Sequence, residues 1–144
     1  MGQGAWGREH RAEGMGQRAE GMGQGAMAKF RFQDLKIWHS AIEIANELFD
    51  IADDLERRRL YRWAEQLRGS GMSMSNNIAE GSGSSSKKDF SNFLNIARRS
   101  TFENANALIL FEMRNLISQG QLDELLTKID VLCRRITSFQ KSLK

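Results

Sequence analysis

Apolar residues recur at the three- and four-residue spacing of amphipathic helices in four successive segments of the chain. The spacing predicts helices over about residues 34–54, 59–80, 87–117 and 121–142. Short connections between long helices require antiparallel neighbours. The sequence contains no proline, which leaves long helices uninterrupted. We therefore predict an all-α protein, an antiparallel up-down-up-down four-helix bundle.

Local residues predict where these helices begin and end. Gly81 is a good residue to follow the second helix, because glycine accepts the left-handed conformation that ends many helices. Ser86 and Asp89 form a variant of the capping box that starts a helix. Gly120 interrupts the apolar stripe and is predicted to separate the third helix from the fourth.

The first 26 residues follow a different pattern. Residues 11–17 read Arg-Ala-Glu-Gly-Met-Gly-Gln, and residues 18–24 repeat this heptad without change. A glycine-rich segment with so little apolar content buries nothing that offsets the entropy of ordering it. We predict a disordered tail over residues 1–26 and a bundle domain over residues 27–144, with Met27 as a plausible true start. A flexible binding arm anchored by Trp6 is the alternative interpretation.

Charge and composition restrict the class of protein. The net charge is +3, and the tail is neutral, so the excess lies in the folded part, where it permits an acidic partner without requiring one. No window approaches the roughly 18 apolar residues of a membrane span, and no apolar leader opens the chain. The single cysteine, Cys133, is expected to be a buried structural residue. A cytoplasmic protein with no membrane partner is expected.

The sequence offers no recognisable chemistry. Helical bundles hold di-iron sites through Glu-x-x-His pairs, but Lys36 precedes His39 and Gly7 precedes His10 at that spacing. The loop after Gly81 lacks the lysine of a phosphate-binding P-loop and follows a helix instead of a strand. We predict no enzymatic activity, no metal and no cofactor, and we expect His39 to be a solvated or interface residue.

A polar stripe lies beside the apolar one on the second helix. Its residues are spaced at i, i+4, i+7 and i+11, and the third helix carries polar residues that match them. Such a stripe is a ligand site, a solvated surface or a seam against another helix or subunit, and the seam is favoured. The predicted structural seam comprises Gln66, Ser73, Asn77, Glu80, Ser100 and Glu103, with Ser70, Asn104 and Asn106 in the same stripes.

Basic residues recur in pairs and short runs. They are either ordinary solvated helix faces, since acidic residues are interspersed, or contacts to nucleic-acid phosphates repeated around an oligomer. The candidate nucleic-acid-binding residues are Arg57, Arg58, Arg59, Arg62, Lys87, Lys88, Arg98, Arg99, Arg134 and Arg135.

Several of these segments together resemble a known bacterial family. The segments that carry the resemblance are Phe32–Trp38, Gln66–Arg68, Ser73–Gly81, Lys88–Ala97 and Ser100–Glu103, and they are similar to the four-helix bundle proteins encoded within 23S rRNA intervening sequences. The resemblance implies a homopentamer. It also implies kinship with the accessory variability proteins of diversity-generating retroelements, which bind nucleic acid and reverse transcriptase through basic surface.

Two function hypotheses follow. The first is a non-enzymatic homo-oligomer that binds RNA or DNA through its basic patches. The alternative is a protein–protein scaffold, or an accessory subunit to an enzyme such as a reverse transcriptase, that does not touch nucleic acid directly.

Overall fold

The computed structural model describes residues 28–144, and every regular element within this range is helical. A 3-10 turn, Arg31–Asp34, precedes four α-helices. These are α1 (Lys36–Arg57), α2 (Tyr61–Ser82), α3 (Lys87–Met113) and α4 (Gln119–Ser142). The predicted all-α class is confirmed. The predicted tail, with its repeat, Trp6, His10 and the start at Met27, lies outside the described residues.

The four helices form a closed antiparallel bundle. Each helix packs against the next, and α4 returns to α1. Polar contacts at opposite registers establish the direction of each pair: Asp53 with Arg68, Ser70 with Asn104, Ser73 with Ser100, Arg98 with Thr137, and Glu47 with Lys128. A second contact between each of the other helix pairs is Leu48 with Gly71, Ser91 with Gln140, and Ser40 with Arg135. For each pair of helices, the residue number rises along one helix as it falls along the other. This is the predicted up-down-up-down arrangement.

The apolar stripes of all four helices meet in one core. Burial of each large aliphatic side chain contributes about 1.5–3 kcal/mol to folding. The most deeply buried apolar side chains are Leu48, Leu55, Leu67, Met74, Ile78, Leu94, Leu108, Leu132 and Ile136. Cys133, expected to be a buried structural residue, is only half-buried. No helix within residues 28–144 is long and apolar enough to cross a membrane.

Two of the helices are followed by a left-handed residue that is not glycine. After α1, Arg59 adopts φ 66°, and the Leu60 N–H donates to the Leu55 carbonyl at 2.9 Å. After α3, Asn115 adopts φ 60°, and the Leu116 N–H donates to the carbonyl five residues earlier at 2.8 Å. Both ends are Schellman motifs with an apolar residue in the sixth position. The third helix therefore stops at Met113, not near residue 117.

The predicted helix breaks at Gly81 and Gly120 are both wrong. Gly120 lies in the first turn of α4, behind the N-cap Ser118, whose hydroxyl accepts the Gln121 N–H at 3.1 Å. Gly81 lies inside α2, and no glycine within residues 28–144 has a positive φ. The start of α3 is as predicted, because the Ser86 hydroxyl accepts the Asp89 N–H at 3.1 Å.

Gly81 is needed for space and not for its backbone conformation. A β-carbon at this position would lie 2.8 Å from Phe90 Cδ1 and 2.8 Å from Phe93 Cβ. Glycine therefore lets the last turns of α2 approach the first turns of α3. This close approach fixes the end of the bundle that carries the α2–α3 loop and both termini of the described chain.

Candidate nucleic-acid interface

Charge is divided unevenly between the two ends of the bundle. Because the helices are antiparallel, a plane through their middles separates residues 28–46, 72–100 and 131–144 from residues 47–71 and 101–130. The first set, which we name the basic half, holds eleven Lys and Arg against four Asp and Glu. The second set, the acidic half, holds seven Lys and Arg against eleven Asp and Glu. The net charge of +3 is therefore the sum of a positive charge on the basic half and a smaller negative charge on the acidic half.

Most cations of the basic half are not neutralised by carboxylates. Within the described part of the chain, two of the eleven form ion pairs: Lys29 with Asp34 and Arg134 with Asp130. The other nine are Arg31, Lys36, Lys87, Lys88, Arg98, Arg99, Arg135, Lys141 and Lys144. Cations that lack a protein counter-charge keep their full attraction for phosphate.

The first half of α3 presents these cations in two rows. Lys87 and Arg98 are eleven residues apart, as are Lys88 and Arg99, so each pair shares a helix face over about 16 Å. Arg98 connects the rows to α4, because its Nε donates to Thr137 Oγ1 at 3.0 Å. The structure thus brings four predicted residues together on one side of the basic half.

Arg134 and Arg135 continue the basic half on α4. Arg134 is exposed, and its Nε lies 3.0 Å from the Asp130 carboxylate. Arg135 faces α1, where its guanidinium donates to Ser40 Oγ at 3.4 Å. Lys141 lies one heptad after Arg134 and so shares its helix face.

The four predicted arginines around the α1–α2 turn, Arg57, Arg58, Arg59 and Arg62, lie at the other end of the molecule. They are about 30 Å from the α2–α3 loop, since α1 alone has 22 residues. Asp54 accepts ion pairs from Arg57 at 3.7 Å and from Arg58 at 3.0 Å. Arg59 and Arg62 are exposed. The structure separates this group from the other six predicted residues and places it among carboxylates.

Arg68 shows how completely the acidic half can neutralise a cation. Its guanidinium contacts Asp53 at 2.8 Å, Glu65 at 2.9 Å and Glu56 at 3.0 Å. The hydrogen bond to Asp53, the largest influence, raises the pKa of Arg68 above its ordinary value. This cluster joins α1 to α2 and leaves little positive charge for a ligand.

The polar stripes of α2 and α3 face each other along part of their length. The Ser70 hydroxyl donates to Asn104 Oδ1 at 2.7 Å, and Asn104 Nδ2 donates to the Ser70 carbonyl at 3.0 Å. One turn further, the hydroxyls of Ser73 and Ser100 lie 2.8 Å apart. Asn77 Nδ2 donates to the carbonyl and the hydroxyl of Ser73. We name these five residues the α2–α3 seam.

Other predicted members of the seam lie outside it. Gln66, Glu80 and Glu103 are exposed, and Glu80 forms no ion pair within residues 28–144. The most buried pair, Ser70 with Asn104, lay within the predicted stripes but was not singled out. Asn104 is fully buried. It lies three residues after Thr101 and four before Leu108, so the spacing of the buried residues of α3 was the available signal.

A row of aromatic rings at the basic end was missed by the sequence analysis. The Phe30 and Phe32 rings are nearly parallel, with centroids 5.7 Å apart. Trp38 lies 5.0 Å from Phe32, and His39 meets Trp38 edge-on at 5.1 Å. His39 is exposed, and its Nε2 lies 2.6 Å from the Gln33 carbonyl oxygen. The alternation of basic and aromatic residues from Lys29 to Phe32 was the available sequence signal.

Residues 28–144 contain no group of three or more His, Cys, Asp or Glu side chains arranged to hold a metal ion. A cavity of about 460 Å³ opens between α1 and α4 at the acidic end and is lined by Glu47, Asp54 and Glu124. It lacks an arrangement of nucleophile and base. The exposed cations of the basic half offer electrostatic attraction to an anionic partner.

Comparison with known proteins agrees with this architecture. Residues 33–138 match the 23S rRNA-intervening sequence proteins. The chain belongs to that family. A solved structure from Bacteroides thetaiotaomicron, a protein of unknown function from the S23 ribosomal protein family, has a TM-score of 0.69 and 24% sequence identity. The match covers 73% of this chain and 98% of the other, and at this identity it shows the fold alone. No curated protein matches the chain.

Proposed function

We propose that this chain is a homo-oligomeric, non-enzymatic protein of the cytoplasm that binds RNA or DNA through its basic half. The observation that carries the proposal is the segregation of charge. Eleven cations against four carboxylates, with nine of the cations outside any ion pair of the described chain, form a surface suited to a polyanion. The family's name, which refers to an intervening sequence of rRNA, makes RNA the first ligand to test.

The contact is with the phosphate backbone. Lysine and arginine side chains attract phosphates without reading base sequence, because sequence is read from base edges. Each neutralised phosphate releases counterions, so the binding constant falls with salt by a slope of roughly 0.7 per contact on single strands and 0.9 on duplex. The number of cations engaged is therefore measurable from the salt dependence.

The test compares two variants that remove the same charge from opposite ends of the bundle. The basic-half variant replaces Lys87, Lys88, Arg99 and Lys141 by Gln. The control variant replaces Arg57, Arg58, Arg59 and Arg62 by Gln. Fluorescence anisotropy with a labelled RNA is measured over a series of salt concentrations, and circular dichroism verifies that both variants remain helical.

The basic-half variant should bind more weakly and lose a salt slope of up to about three. The control should retain most of the affinity and the slope of the original protein. Equal losses in the two variants would show that net charge alone, and not the basic half, governs binding. Absence of any RNA or DNA binding at low salt would contradict the proposal as a whole.

Self-association rests on a second surface, an apolar row on the outer side of α3. Phe102, Ile109 and Met113 follow one another at i, i+7 and i+11, and Leu110 lies beside them. Phe102 is 61% exposed and Met113 is 70% exposed. Exposed apolar rows of this kind mark protein interfaces. We propose that a second copy covers this row and that five copies assemble, as the family resemblance implies.

Light scattering measures this assembly directly. The expected mass is five times the 16.4 kDa of one chain. Replacing both Phe102 and Met113 by Ser should reduce the mass toward that of a single chain. Met72→Ser, at another exposed methionine on α2, is the matched control and should leave the mass unchanged. A single-chain mass for the unmodified protein would exclude self-association.

The same apolar row favours the second candidate function, a scaffold for another protein. A chain that is monomeric, that shows no salt-dependent retention of nucleic acid and that captures a partner through Phe102 and Met113 would support this alternative.

A further inference from the structure

The ring of Phe30 stands at the open end of the aromatic row. Phe32 lies against one face of this ring, at 5.7 Å between centroids and with an angle of 16° between planes. Phe30 is nevertheless 64% exposed. An aromatic ring has two faces, so a second flat group has room to stack on Phe30 and extend the row.

Phe30 is also held in place. Its N–H donates to Gln33 Oε1 at 2.8 Å, and its carbonyl accepts the Gln33 N–H at 3.1 Å. The Gln33 carbonyl in turn lies 2.6 Å from His39 Nε2 on α1. A ring fixed in this way loses little further freedom when a ligand stacks on it, which favours binding.

The exposed ring lies among cations of the basic half. Lys29 and Arg31 flank it in sequence. The Arg31 guanidinium lies 5.1 Å from the centroid of Phe90, which is in the first turn of α3, three residues after Lys87. Phe90 packs on Phe139 near the end of α4, shortly before Lys141. The aromatic row therefore adjoins the cations proposed to contact phosphates.

We infer that Phe30 is a stacking platform for an unpaired base, so that the preferred ligand is single-stranded nucleic acid. This inference rests on the proposed function and specifies its ligand class. Single-strand-binding surfaces combine cations that follow the backbone with aromatic rings on which bases stack. In a duplex the base faces are covered by neighbouring base pairs, so Phe30 cannot reach them.

The experiment measures affinity for one oligonucleotide sequence as a single strand and as a duplex, each as RNA and as DNA. Phe30→Ala removes the ring, and Phe30→Trp replaces it with a larger one. Tyr61→Ala is the matched control, since Tyr61 is 58% exposed but lies at the opposite end of the bundle. A 2-aminopurine base in the strand reports stacking through quenching of its fluorescence.

Phe30→Ala should weaken single-strand binding by about 5- to 150-fold, the range for loss of one stacked base. Its salt slope should not change, because stacking releases no counterions. Phe30→Trp should retain affinity and quenching, and Tyr61→Ala should bind normally. Duplex binding should be weaker and insensitive to Phe30.

Two failures are distinguishable. If the unmodified protein binds both strand forms in a salt-dependent manner but Phe30→Ala binds the single strand equally well, the stacking inference is wrong and the proposed function stands. If the unmodified protein binds neither form at low salt, the proposed function itself is wrong. Phe30 lies outside the four α-helices, and Tyr61 is an exposed residue in the first turn of α2, so all three variants are expected to keep the circular dichroism of the original protein.

Discussion

The α2–α3 seam and the contact between α1 and α4 are both held by polar side chains, but over different distances. In the α2–α3 seam, short neutral side chains bond directly, and Asn104 is fully buried between the helices. Between α1 and α4, the long side chain of Lys128 reaches Glu47 at 2.9 Å, Glu124 at 3.5 Å and Glu43 at 3.9 Å. Cavities of about 460 and 200 Å³ open along this second contact.

The two contacts differ in how closely they fix the distance and the register between two helices. Short side chains bond only when two helices lie close and in one register, and their loss leaves a buried group without a partner. Charged groups on long side chains tolerate a wide, hydrated gap, and such exposed pairs contribute about 0–1 kcal/mol. We therefore expect the α2–α3 seam to determine how the helices align, while the α1–α4 contact adds little stability.

The largest effect is expected at the centre of the α2–α3 seam. Asn104→Ala removes both hydrogen bonds to Ser70 and leaves a small cavity, so we expect the free energy of unfolding to fall by about 2–4 kcal/mol. Chemical denaturation with a constant m-value measures this loss. Asn106→Ala, at an exposed position of the same helix, should change stability by less than about 0.5 kcal/mol. Similar losses at both positions would remove the distinction between seam and surface.

A smaller but still clear effect is expected where α2 and α3 approach most closely. At Gly81→Ala the new β-carbon meets Phe93 Cβ at 2.8 Å, an atom that cannot move without the α3 backbone. We expect a loss of about 1–3 kcal/mol from overpacking, although alanine is the better helix former. Gly69→Ala is the control within the same helix, because its β-carbon would meet nothing within 4 Å.

For Gly69→Ala we expect a gain of up to about 1 kcal/mol. Thermal unfolding of the two variants should therefore shift in opposite directions. A shift to higher temperature in both would mean that α2 and α3 separate at Gly81 without cost, and that close approach does not define this end of the bundle.

The sequence predicted the helices well because apolar periodicity reports directly on which face is buried. The predicted helix ends were less accurate, because glycine was taken to indicate the left-handed backbone conformation that ends a helix. At Gly81 the glycine serves packing against Phe90 and Phe93, which depends on a neighbouring helix. The actual left-handed residues, Arg59 and Asn115, are each followed by a leucine, Leu60 or Leu116, that packs against the core. The pair Leu55 with Leu60 carried that information.

The candidate site was predictable in composition but not in arrangement. All ten basic residues are recognisable in the sequence, yet the division into two opposed halves appears only when the helices are folded back on one another. The separation of Arg57 from Lys87 depends on helix direction, and the neutralisation of Arg57 and Arg58 depends on Asp54. Phe30 was missed because it lies before the first periodic segment.

The smallest effect on stability is expected at the α1–α4 contact. The contribution of Lys128 to stability can be recognised there by its dependence on pH. The hydrogen bond to Glu47 is the main influence that raises the pKa of Lys128 above its ordinary value. A raised pKa in the folded state means that the charged form stabilises folding. That stabilisation is fully present below the unfolded pKa of about 10.4 and is lost as the pH rises through the higher folded pKa.

Lys128→Met should therefore reduce stability by less than about 1 kcal/mol near neutral pH, since the pair is partly exposed and screened by salt. The difference from the original protein should stay constant up to about pH 10 and then shrink as Lys128 loses its proton. Denaturation curves of both proteins across this pH range measure the difference in the free energy of unfolding. The other lysines are the same in both proteins, so their titration cancels in this difference. A loss of several kcal/mol at neutral pH, or a loss that persists at high pH, would mean that the Lys128 side chain stabilises the helices by packing. The α1–α4 contact and the α2–α3 seam would then differ only in the size of their contribution to stability.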